Sequence, residues 1–377
     1  MYRVRFSEPY RTGHEADYVL DALGRNVWHG DGEFTAQASA WLERHIGAPH
    51  ALLTTSCTHA IEMATLLLDL KDGDEVICPS FTFPSLPAAV ALRGATPVFV
   101  DVRPDTLNLD PQAAKNAINA TTKAIFVVHY GGVSADVEAF GRLADAHGLA
   151  IVEDNAHSLG AYYKGRHLGT FGDFATQSFH DTKNVTCGEG GALLINDENY
   201  IERAEIIREK GTNRSSFLRG QVDKYTWVDK GSSYLPSDIL AAILLAQLEQ
   251  FEWIQENRHR VWRNYHSELG DWGRRNGVTT MTVPPGCQHS AHLYYLLMPT
   301  HSHQRRFIAH LARDGIAAAF HYQPLDSSPA GRRYGRTPVP CDVSADVAHR
   351  IVRLPLHPAL SNDDLNYVLE SIERFKS

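Results

Sequence analysis

Short apolar segments recur at regular intervals through the first half of the chain. Seven mostly apolar or β-prone runs of four to seven residues fall between residues 51 and 195, and helical stretches separate several of them. Strands that are apolar throughout are typical of a parallel sheet covered by helices on both faces. We therefore predict an α/β fold with a seven-stranded, mostly parallel sheet. The predicted strands are 51–54, 75–78, 96–102, 124–130, 150–153, 174–179 and 192–195.

Helix signals separate several of these strands. The segment 59–70 is apolar on nearly every face, as a buried helix would be. Asp110 followed by Pro111 is a favourable pair for the N-cap and first turn of a helix. Ser134 is predicted to cap a further helix, which Gly148 ends.

The pattern changes after Asn196. The polar segment 211–236 has no clear periodicity, and its aromatic residues argue against disorder in a loop of this length. A long helix is predicted over 237–268. We place a boundary inside it, between a large domain, 1–250, and a smaller α+β domain, 251–377. The smaller domain is predicted to contain strands at 293–298 and 316–322 and helices at 304–314 and 362–375.

Composition argues against several classes of protein. The 377 residues carry 36 Lys+Arg against 44 Asp+Glu, a net charge of −8, with no basic stripe, so we expect no nucleic-acid partner. No apolar run approaches the ~18 residues that span a bilayer, and no signal peptide is apparent. Five scattered cysteines without a CxxC pair are typical of reduced thiols in a cytoplasmic protein. The 20 histidines show no HExxH-type spacing, so we expect no metal site.

Reactive side chains follow the predicted strands, at the edge where open α/β sheets place their ligands. Lys183 follows the strand 174–179 and is either a Schiff-base nucleophile or an ordinary solvated lysine. Ser178, just before it, is a candidate phosphate contact. Asp154 ends a buried strand, where a carboxylate needs a cationic partner such as a protonated pyridine nitrogen, or else caps the next segment. His157 could hydrogen-bond a substituent of the same ring.

Two earlier strand ends add to this pattern. Residues 54–58, Thr-Thr-Ser-Cys-Thr, offer hydroxyls and free backbone N–H groups at a helix start, which suit a phosphate or serve only as an N-cap. Phe83 could lie flat against a planar cofactor or belong to the core. Each signal is weak alone. Their order is informative: a phosphate-type turn, an aromatic residue, an Asp with His three residues later, then Ser-x4-Lys.

Taken in that order, these residues resemble the sugar aminotransferases of the DegT/DnrJ/StrS family, which have the pyridoxal 5′-phosphate (PLP) fold type I of aspartate aminotransferase. The resemblance covers essentially the whole chain. It is closest to the dTDP-4-amino-4,6-dideoxygalactose transaminases. Three segments look like that subgroup in particular: FVDVRPDTLNLD (99–110), SFHDTKN (178–184) and REKGTNRSSFLRGQVDKYTWVDKGSSYLPSD (208–238).

The resemblance implies roles for the cofactor-binding residues. Lys183 would hold PLP covalently, and Asp154 would pair with its pyridinium nitrogen. His157, where relatives often carry glutamine, would contact the ring hydroxyl, and Phe83 would stack on the ring. The implied phosphate contacts are Cys57, Thr58 and Ser178. Some relatives that remove a 3-hydroxyl have histidine in place of the lysine, so Lys183 implies transamination and not dehydration.

The resemblance also implies a substrate side and a partner subunit. His321 and Tyr322 match a substrate-side motif, and Trp28 lies in a turn that matches a substrate-proximal segment. Arg214 could help hold a nucleotide diphosphate. Ser233 stands where many relatives carry an asparagine that a neighbouring subunit supplies to the phosphate. The implied assembly is a homodimer with shared active sites, with glutamate as amino donor and a nucleotide sugar as acceptor.

Other functions remain open at this point. The product could be the C4 epimer with gluco configuration, or the substrate another keto-sugar nucleotide. A regulatory protein that binds the cofactor without turnover is a further alternative. A nicotinamide or nucleoside-triphosphate enzyme is disfavoured, because the chain has neither GxGxxG after the first strand nor GxxxxGK[ST] anywhere.

Overall fold

The larger sheet occupies the first half of the structure, a computed structural model that describes residues 2–376. The first nine strands in chain order are β1 (His50–Thr54), β2 (Glu75–Pro79), β3 (Thr96–Val100), β4 (Thr122–Val128), β5 (Ala150–Asp154), β6 (Tyr162–Tyr163), β7 (Arg166–His167), β8 (Phe174–Ser178) and β9 (Gly191–Ile195). Seven of them form one sheet in the order β1-β9-β8-β5-β4-β2-β3. β9 runs antiparallel to both of its neighbours, and the other pairs are parallel. The predicted seven-stranded, mostly parallel sheet is confirmed.

Helices cover this sheet. In the large-sheet half they are α1 (Glu15–Gly24), α2 (Glu33–Ile46), α3 (Cys57–Leu67), α4 (Ser85–Leu92), α5 (Pro111–Ala117), α6 (Val137–His147), α7 (Ile201–Arg208), α8 (Arg214–Leu218) and α9 (Asp238–Glu249). The Asp110 side chain accepts from two backbone N–H groups of α5, as its position predicts. The predicted cap of α6 is wrong. Asp136, directly before the helix, accepts from Ala139 N–H, whereas the Ser134 hydroxyl donates to the carbonyl of Ala135.

The rest of the chain forms a smaller α/β unit. Its strands are β10 (Thr279–Thr280), β11 (Cys287–Gln288), β12 (Tyr295–Leu297) and β13 (Ile351–Arg353), and its helices are α10 (Phe251–Asn276), α11 (His301–Arg313), α12 (Pro329–Tyr334), α13 (Asp342–Arg350) and α14 (Asn362–Arg374). β10, β12 and β13 form a three-stranded antiparallel sheet. β11 pairs instead with β6 of the larger half.

Two predicted elements of this region are wrong. Residues 316–322 form no regular strand, because Ile316 bridges to Val4 and Ala319 bridges to Arg353, so consecutive residues do not share one partner strand. The predicted helix over 237–268 is two helices, α9 and α10, because Gln250 leaves the helical conformation at φ −103° and ψ 14°. That break coincides with the predicted boundary at residue 250, and the division into two domains stays a prediction.

The N-terminal segment belongs to the core of the C-terminal unit. Val4 is 2% exposed and packs in the apolar cluster built mainly from residues 261–375. The carboxyl ends of β1, β2, β5 and β8 therefore face a wall formed by C-terminal residues and the first residues of the chain. Among residues 2–376, no helix combines the length and apolar character needed to cross a bilayer.

Candidate active site

A cavity of about 920 Å³ lies between the carboxyl ends of the large-sheet strands and the C-terminal unit. Nine of the twelve residues singled out in the sequence line it: Cys57, Thr58, Phe83, Asp154, His157, Ser178, Lys183, His321 and Tyr322. The structure does not bring the other three, Trp28, Arg214 and Ser233, to this cavity. Most of the residues that the sequence pattern singles out therefore lie around one cavity, and the three exceptions lie together on another surface.

The N-terminus of α3 forms one end of the cavity. The Ser56 side chain caps the helix by accepting from His59 N–H, at 3.1 Å. Thr58 Oγ1 lies 2.7 Å from Ser85 Oγ, which fixes that hydroxyl at the cavity surface. The first-turn N–H groups of Cys57 and Thr58 have no partner inside the helix, so this end suits an anion such as a phosphate.

Gly191 explains why three chain segments meet at this end. It starts β9 and pairs with Thr54 of β1 on one side and Ser178 of β8 on the other. A Cβ at position 191 would lie 2.3 Å from the backbone N of Cys57, so only glycine permits this approach. The contact brings Ser178 beside the start of α3, where its hydroxyl adds to the anion site.

Asp154 lies at the end of β5 with 8% of its surface exposed. Its Oδ1 accepts from Ala156 N–H at 3.0 Å, and no ion pair of this carboxylate occurs within residues 2–376. Burial raises its pKa, while the Ala156 N–H and the charge of Lys183 act in the opposite direction. A buried carboxylate facing a cavity is stabilised by a cationic group placed there.

A fully buried pair supports this strand end. His129 Nε2 lies 2.8 Å from Glu153 Oε2, and both side chains are completely buried. The same carboxylate accepts from the backbone N–H groups of Gly169, Phe171 and Gly172. Burial alone would raise the pKa of Glu153, but these hydrogen bonds hold it below its ordinary value. The pair was missed in the sequence because Glu153 reads there only as one more strand residue.

Lys183 follows β8 in a tight turn, where its backbone N–H donates to the carbonyl of His180 at 2.9 Å. Within residues 2–376, its Nζ makes no hydrogen bond and no ion pair. Burial lowers the pKa of Lys183, the charge of Asp154 opposes that shift, and the charge of Arg353 adds to it. An amine with a lowered pKa is more often neutral and is then a nucleophile and a base.

His157 is held in a defined tautomer. Its Nδ1 accepts from Gly131 N–H at 3.2 Å, so in the neutral ring Nε2 carries the proton. Its ring stacks on His292 with 4.1 Å between centroids and 18° between planes. His292 Nδ1 in turn lies 2.9 Å from Oδ1 of Asn184, the neighbour of Lys183. Burial and the charges of Lys183 and Arg353 hold the pKa of His157 well below its ordinary value.

The opposite side of the cavity is aromatic. Tyr130 Oη lies 2.8 Å from His321 Nδ1, and the His321 ring stacks on Tyr322 at 3.6 Å. Phe83 is 57% exposed, unlike Phe81 two residues earlier, which is 1% exposed. A large aromatic face open to a cavity is suited to a planar ligand.

Sequence reasoning missed two cationic residues of the cavity, Arg258 and Arg353, together with Phe6. Arg258 lies within the long helix α10, and Arg353 ends a strand of three residues, too short for a pattern to mark it. Phe6 reaches the cavity only because the N-terminal segment joins the C-terminal core. No local signal in the sequence distinguishes any of the three.

The three predicted residues outside the cavity belong to a different surface. The backbone of Asp238 donates to the carbonyl of Trp28, which packs the turn around Trp28 against the segment that carries Ser233. Trp28 is 54% exposed, Ser233 is exposed, and Arg214 begins α8 in the same long segment. We call the turn 27–32 and the segment 211–236 together the outer surface.

Comparison with known proteins identifies the family. The model of the DegT/DnrJ/EryC1/StrS aminotransferase family matches residues 9–373, so the chain belongs to this family. The uncharacterised protein MJ1066 of Methanocaldococcus jannaschii is 31% identical over 387 aligned positions, which cover 100% of this chain and 99% of that protein.

Similar solved structures agree. The aminotransferase TlmJ from Streptoalloteichus hindustanus is 28% identical with a TM-score of 0.89, covering 98% of each chain. PseC from Helicobacter pylori, an aminotransferase involved in pseudoaminic acid biosynthesis, is 26% identical with a TM-score of 0.89 and the same coverage. Spr1654 from Streptococcus pneumoniae, provisionally described as a sugar aminotransferase, is 27% identical with a TM-score of 0.90 over 98% of each chain. These findings support a sugar aminotransferase of the DegT/DnrJ family with PLP fold type I.

Aminotransferases of this family depend on PLP, and Spr1654 has been solved in PLP and PMP forms. Three separate features of the cavity suit that cofactor. Its α3 end suits a phosphate, Asp154 is a buried carboxylate open to a cation, and Lys183 presents a free amine. The exposed ring of Phe83 adds a flat apolar face.

Proposed function

We propose that this protein transfers an amino group from glutamate to C4 of a dTDP-4-keto-6-deoxyhexose and so forms dTDP-4-amino-4,6-dideoxygalactose. The convergence of Lys183, Asp154 and the start of α3 on one cavity is the observation that carries the proposal. The choice of sugar and nucleotide rests on the resemblance of segments 99–110, 178–184 and 208–238 to one subgroup of the family.

The residues of the cavity have separate tasks in this proposal. Bound PLP supplies the electron sink for amino-group exchange. The Lys183 amine would hold the cofactor and would then move a proton to and from the carbon that gains or loses nitrogen, a role worth typically ~10²–10⁴-fold in rate. The Asp154 carboxylate would balance positive charge on the pyridine nitrogen. Cys57, Thr58 and Ser178 would bind the phosphate, and His157 would donate from Nε2 to the ring hydroxyl.

The outer surface supports a homodimer with shared active sites. It exposes Trp227 to 76%, Trp28 to 54% and Tyr225 to 53%, and exposed large aromatic side chains are typical of a surface that contacts another protein. We propose that a second subunit covers it and that Ser233 and Arg214 then approach the partner's cavity. Sedimentation should give twice 41.9 kDa for the native protein, and Trp227→Glu should shift it toward the monomer. A native monomer with full activity would contradict this assembly.

The cytoplasm is the proposed compartment. All five cysteines are free thiols, three of them buried, as suits a reducing environment. Quantified thiols in protein purified under oxidising and reducing conditions should agree.

The decisive experiment supplies purified protein with PLP, glutamate and dTDP-4-keto-6-deoxyglucose. The product is then analysed by NMR, because the H3–H4 coupling separates axial from equatorial nitrogen at C4. A small coupling supports the galacto product, whereas a large coupling replaces it with the C4 epimer. PLP uptake without amination of this or any other keto-sugar nucleotide would instead favour the regulatory alternative.

A further inference from the structure

A loop of the C-terminal unit, residues 289–292, is tied to the sheet side of the cavity through Asn184. The Asn184 side chain is buried, and its Nδ2 donates to the carbonyl of Ser290 at 2.9 Å and to Oε1 of Gln255 at 3.1 Å. A backbone carbonyl can only accept, so this contact fixes the orientation of the amide. The remaining group, Oδ1 of Asn184, is therefore an acceptor, and it lies 2.9 Å from Nδ1 of His292.

The orientation of Asn184 determines which nitrogen of His292 carries the proton. Nδ1 faces an acceptor and must donate, so in the neutral ring Nε2 has no proton and offers a lone pair. Burial and the charges of surrounding groups, Lys183 and Arg258 among them, hold the pKa of His292 well below its ordinary value, so the ring is neutral. Within residues 2–376, Nε2 makes no hydrogen bond, and the ring lines the cavity. His292 thus presents an unused acceptor to a ligand.

The stacked rings of His292 and His157 have opposite polarity. Nδ1 of His157 accepts from Gly131 N–H, so its Nε2 donates, whereas Nε2 of His292 accepts. In the proposed function, the hydroxyl of the cofactor ring uses the donor of His157. The acceptor of His292 needs a different partner, one that brings its own O–H or N–H group.

The loop holds His292 rigidly before any ligand binds. Nε and Nη2 of Arg258 donate to the carbonyls of Ala291 and His292, at 3.2 and 2.6 Å. The Ser290 hydroxyl donates to the carbonyl of His157, which ties the two stacked histidines together through their backbones. A group that is already held in one position loses little entropy when a ligand binds, so a single hydrogen bond to it can be selective.

We propose that Nε2 of His292 accepts a hydrogen bond from the C3 hydroxyl of the sugar acceptor. This inference rests on the proposed amino transfer and adds the group that selects a 3-hydroxy sugar. C3 is bonded to the reacting carbon C4, which must lie close to Lys183 during transfer, and the charge of Lys183 acts on the His292 ring. Glutamate has no hydroxyl, and its carboxylates are ionised at neutral pH and can only accept. The sugar is therefore the substrate that brings an O–H group to this acceptor.

The Lys183 amine is the competing donor for the same acceptor. Lys183 moves the proton in both half-reactions, so a contact that served the amine would be missed equally in both. A contact to the sugar hydroxyl affects only the half-reaction that contains the sugar. The hydroxyl is favoured because Nζ of Lys183 makes no hydrogen bond to His292 within residues 2–376, although both residues line one cavity.

The test measures the binding of three sugars to PLP-loaded enzyme without glutamate, so that no amino group is available for transfer. Calorimetry compares dTDP-4-keto-6-deoxyglucose with its 3-deoxy and 2-deoxy analogues. Native enzyme should bind the 3-deoxy analogue about 10- to 100-fold more weakly than the parent sugar, because the acceptor of His292 is then left unpaired. The 2-deoxy analogue should bind within about threefold of the parent.

Variants of His292 show whether this discrimination depends on its Nε2. His292→Phe keeps a ring beside His157 but has no acceptor, so the parent sugar and the 3-deoxy analogue should bind within about threefold of each other. His292→Asn keeps a donor for Asn184, near the position of Nδ1, but has no group near the position of Nε2, and it should lose discrimination in the same way. His266→Phe is the matched control, because His266 is an exposed histidine of α10, and it should discriminate like the native enzyme.

Separate half-reactions complete the test. In His292→Phe, kcat/KM for the parent sugar with PMP-loaded enzyme should fall about 10- to 100-fold, while kcat/KM for glutamate with PLP-loaded enzyme should stay within about threefold. Native affinity that does not depend on the C3 hydroxyl, or an equal loss in both half-reactions, overturns the proposal. Full discrimination by His292→Phe also overturns it, and if that variant does not fold, full discrimination by His292→Asn does so equally. Native protein that selects the 3-hydroxy sugar through His292 but aminates no sugar would refute the proposed function and leave the hydroxyl subsite standing.

Discussion

The two walls of the cavity are built on different principles. The sheet wall consists of strand ends and the start of α3, and its reactive groups, Asp154 and Lys183, have backbones fixed by the sheet or a tight turn. The C-terminal wall consists of loops, a helix and the end of β13, and it contributes neutral aromatic and imidazole rings with two arginines. In the proposed function, the sheet wall supplies the groups that hold the cofactor and move protons, and the C-terminal wall faces the substrates.

The largest effect should follow from replacing the amine of the sheet wall. Lys183→His removes the nucleophile and the base, so amino transfer should fall by at least about 10⁴-fold. Glutamate-dependent amination of the keto sugar measures it. Lys115→His, on the exposed face of α5, should retain native activity. Native-like turnover by Lys183→His would refute the assignment of the sheet wall.

Removing the carboxylate of the same wall should have the next largest effect. Asp154→Asn would leave the pyridinium nitrogen without the buried counter-charge that we propose for it, and we expect PLP affinity to fall by about 10²-fold or more. Titration of cofactor-free protein by absorbance gives the value. Asp145→Asn, on the exposed side of α6, provides a control for the loss of one negative charge. Equal affinities for the two variants would show that Asp154 has no special role.

The charges of the two walls should shift the pKa of Lys183 in opposite directions. Burial lowers that pKa. Capture of PLP needs the neutral amine, so its rate should rise with pH and reach a plateau at a lower pH than it would for a solvated lysine. Asp154 favours the charged amine, so Asp154→Asn should move the profile to lower pH. Arg353 disfavours it, so Arg353→Met should move the profile to higher pH, each by about one unit. Shifts of the same sign would disprove this opposition.

The smallest effect concerns Phe83, at the rim of the sheet wall. Phe83→Leu keeps an apolar side chain but removes the flat face, which is worth about 1 kcal/mol, or roughly fivefold in PLP affinity. The pH profile of capture should not change, because Phe83 carries no charge. A shifted profile would mean that the ring also positions Lys183.

The sequence predicted the sheet wall well for a physical reason. Parallel strands that are buried on both faces leave continuous apolar runs, and polar residues at their carboxyl ends must gather at one edge. Asp154, Ser178 and Lys183 could therefore be placed together although no contact between them was visible. The seven strands were found by the same rule, to within two residues at most of their ends.

The C-terminal wall was harder to predict. Arg353 and Phe6 come together through single bridges between distant segments, which leave no periodic trace. His321 and Tyr322 were found only through resemblance to a family, and the strand predicted around them is absent. The role of the outer surface is harder still to predict, because Trp28 and Ser233 could contact an active site only if a second subunit covers that surface.

The bridge between Val4 and Ile316 has a consequence for synthesis of the protein. Val4 leaves the ribosome more than 300 residues before Ile316, its bridge partner. Phe6 also leaves more than 300 residues before Leu356, whose N–H donates to the Phe6 carbonyl. At bacterial or eukaryotic rates of translation the delay is roughly 15–60 s. During that time these two apolar side chains have no core to enter, and they are candidates for chaperone contact. The cavity closes only after the segment that carries Ile316 and Leu356 has been made.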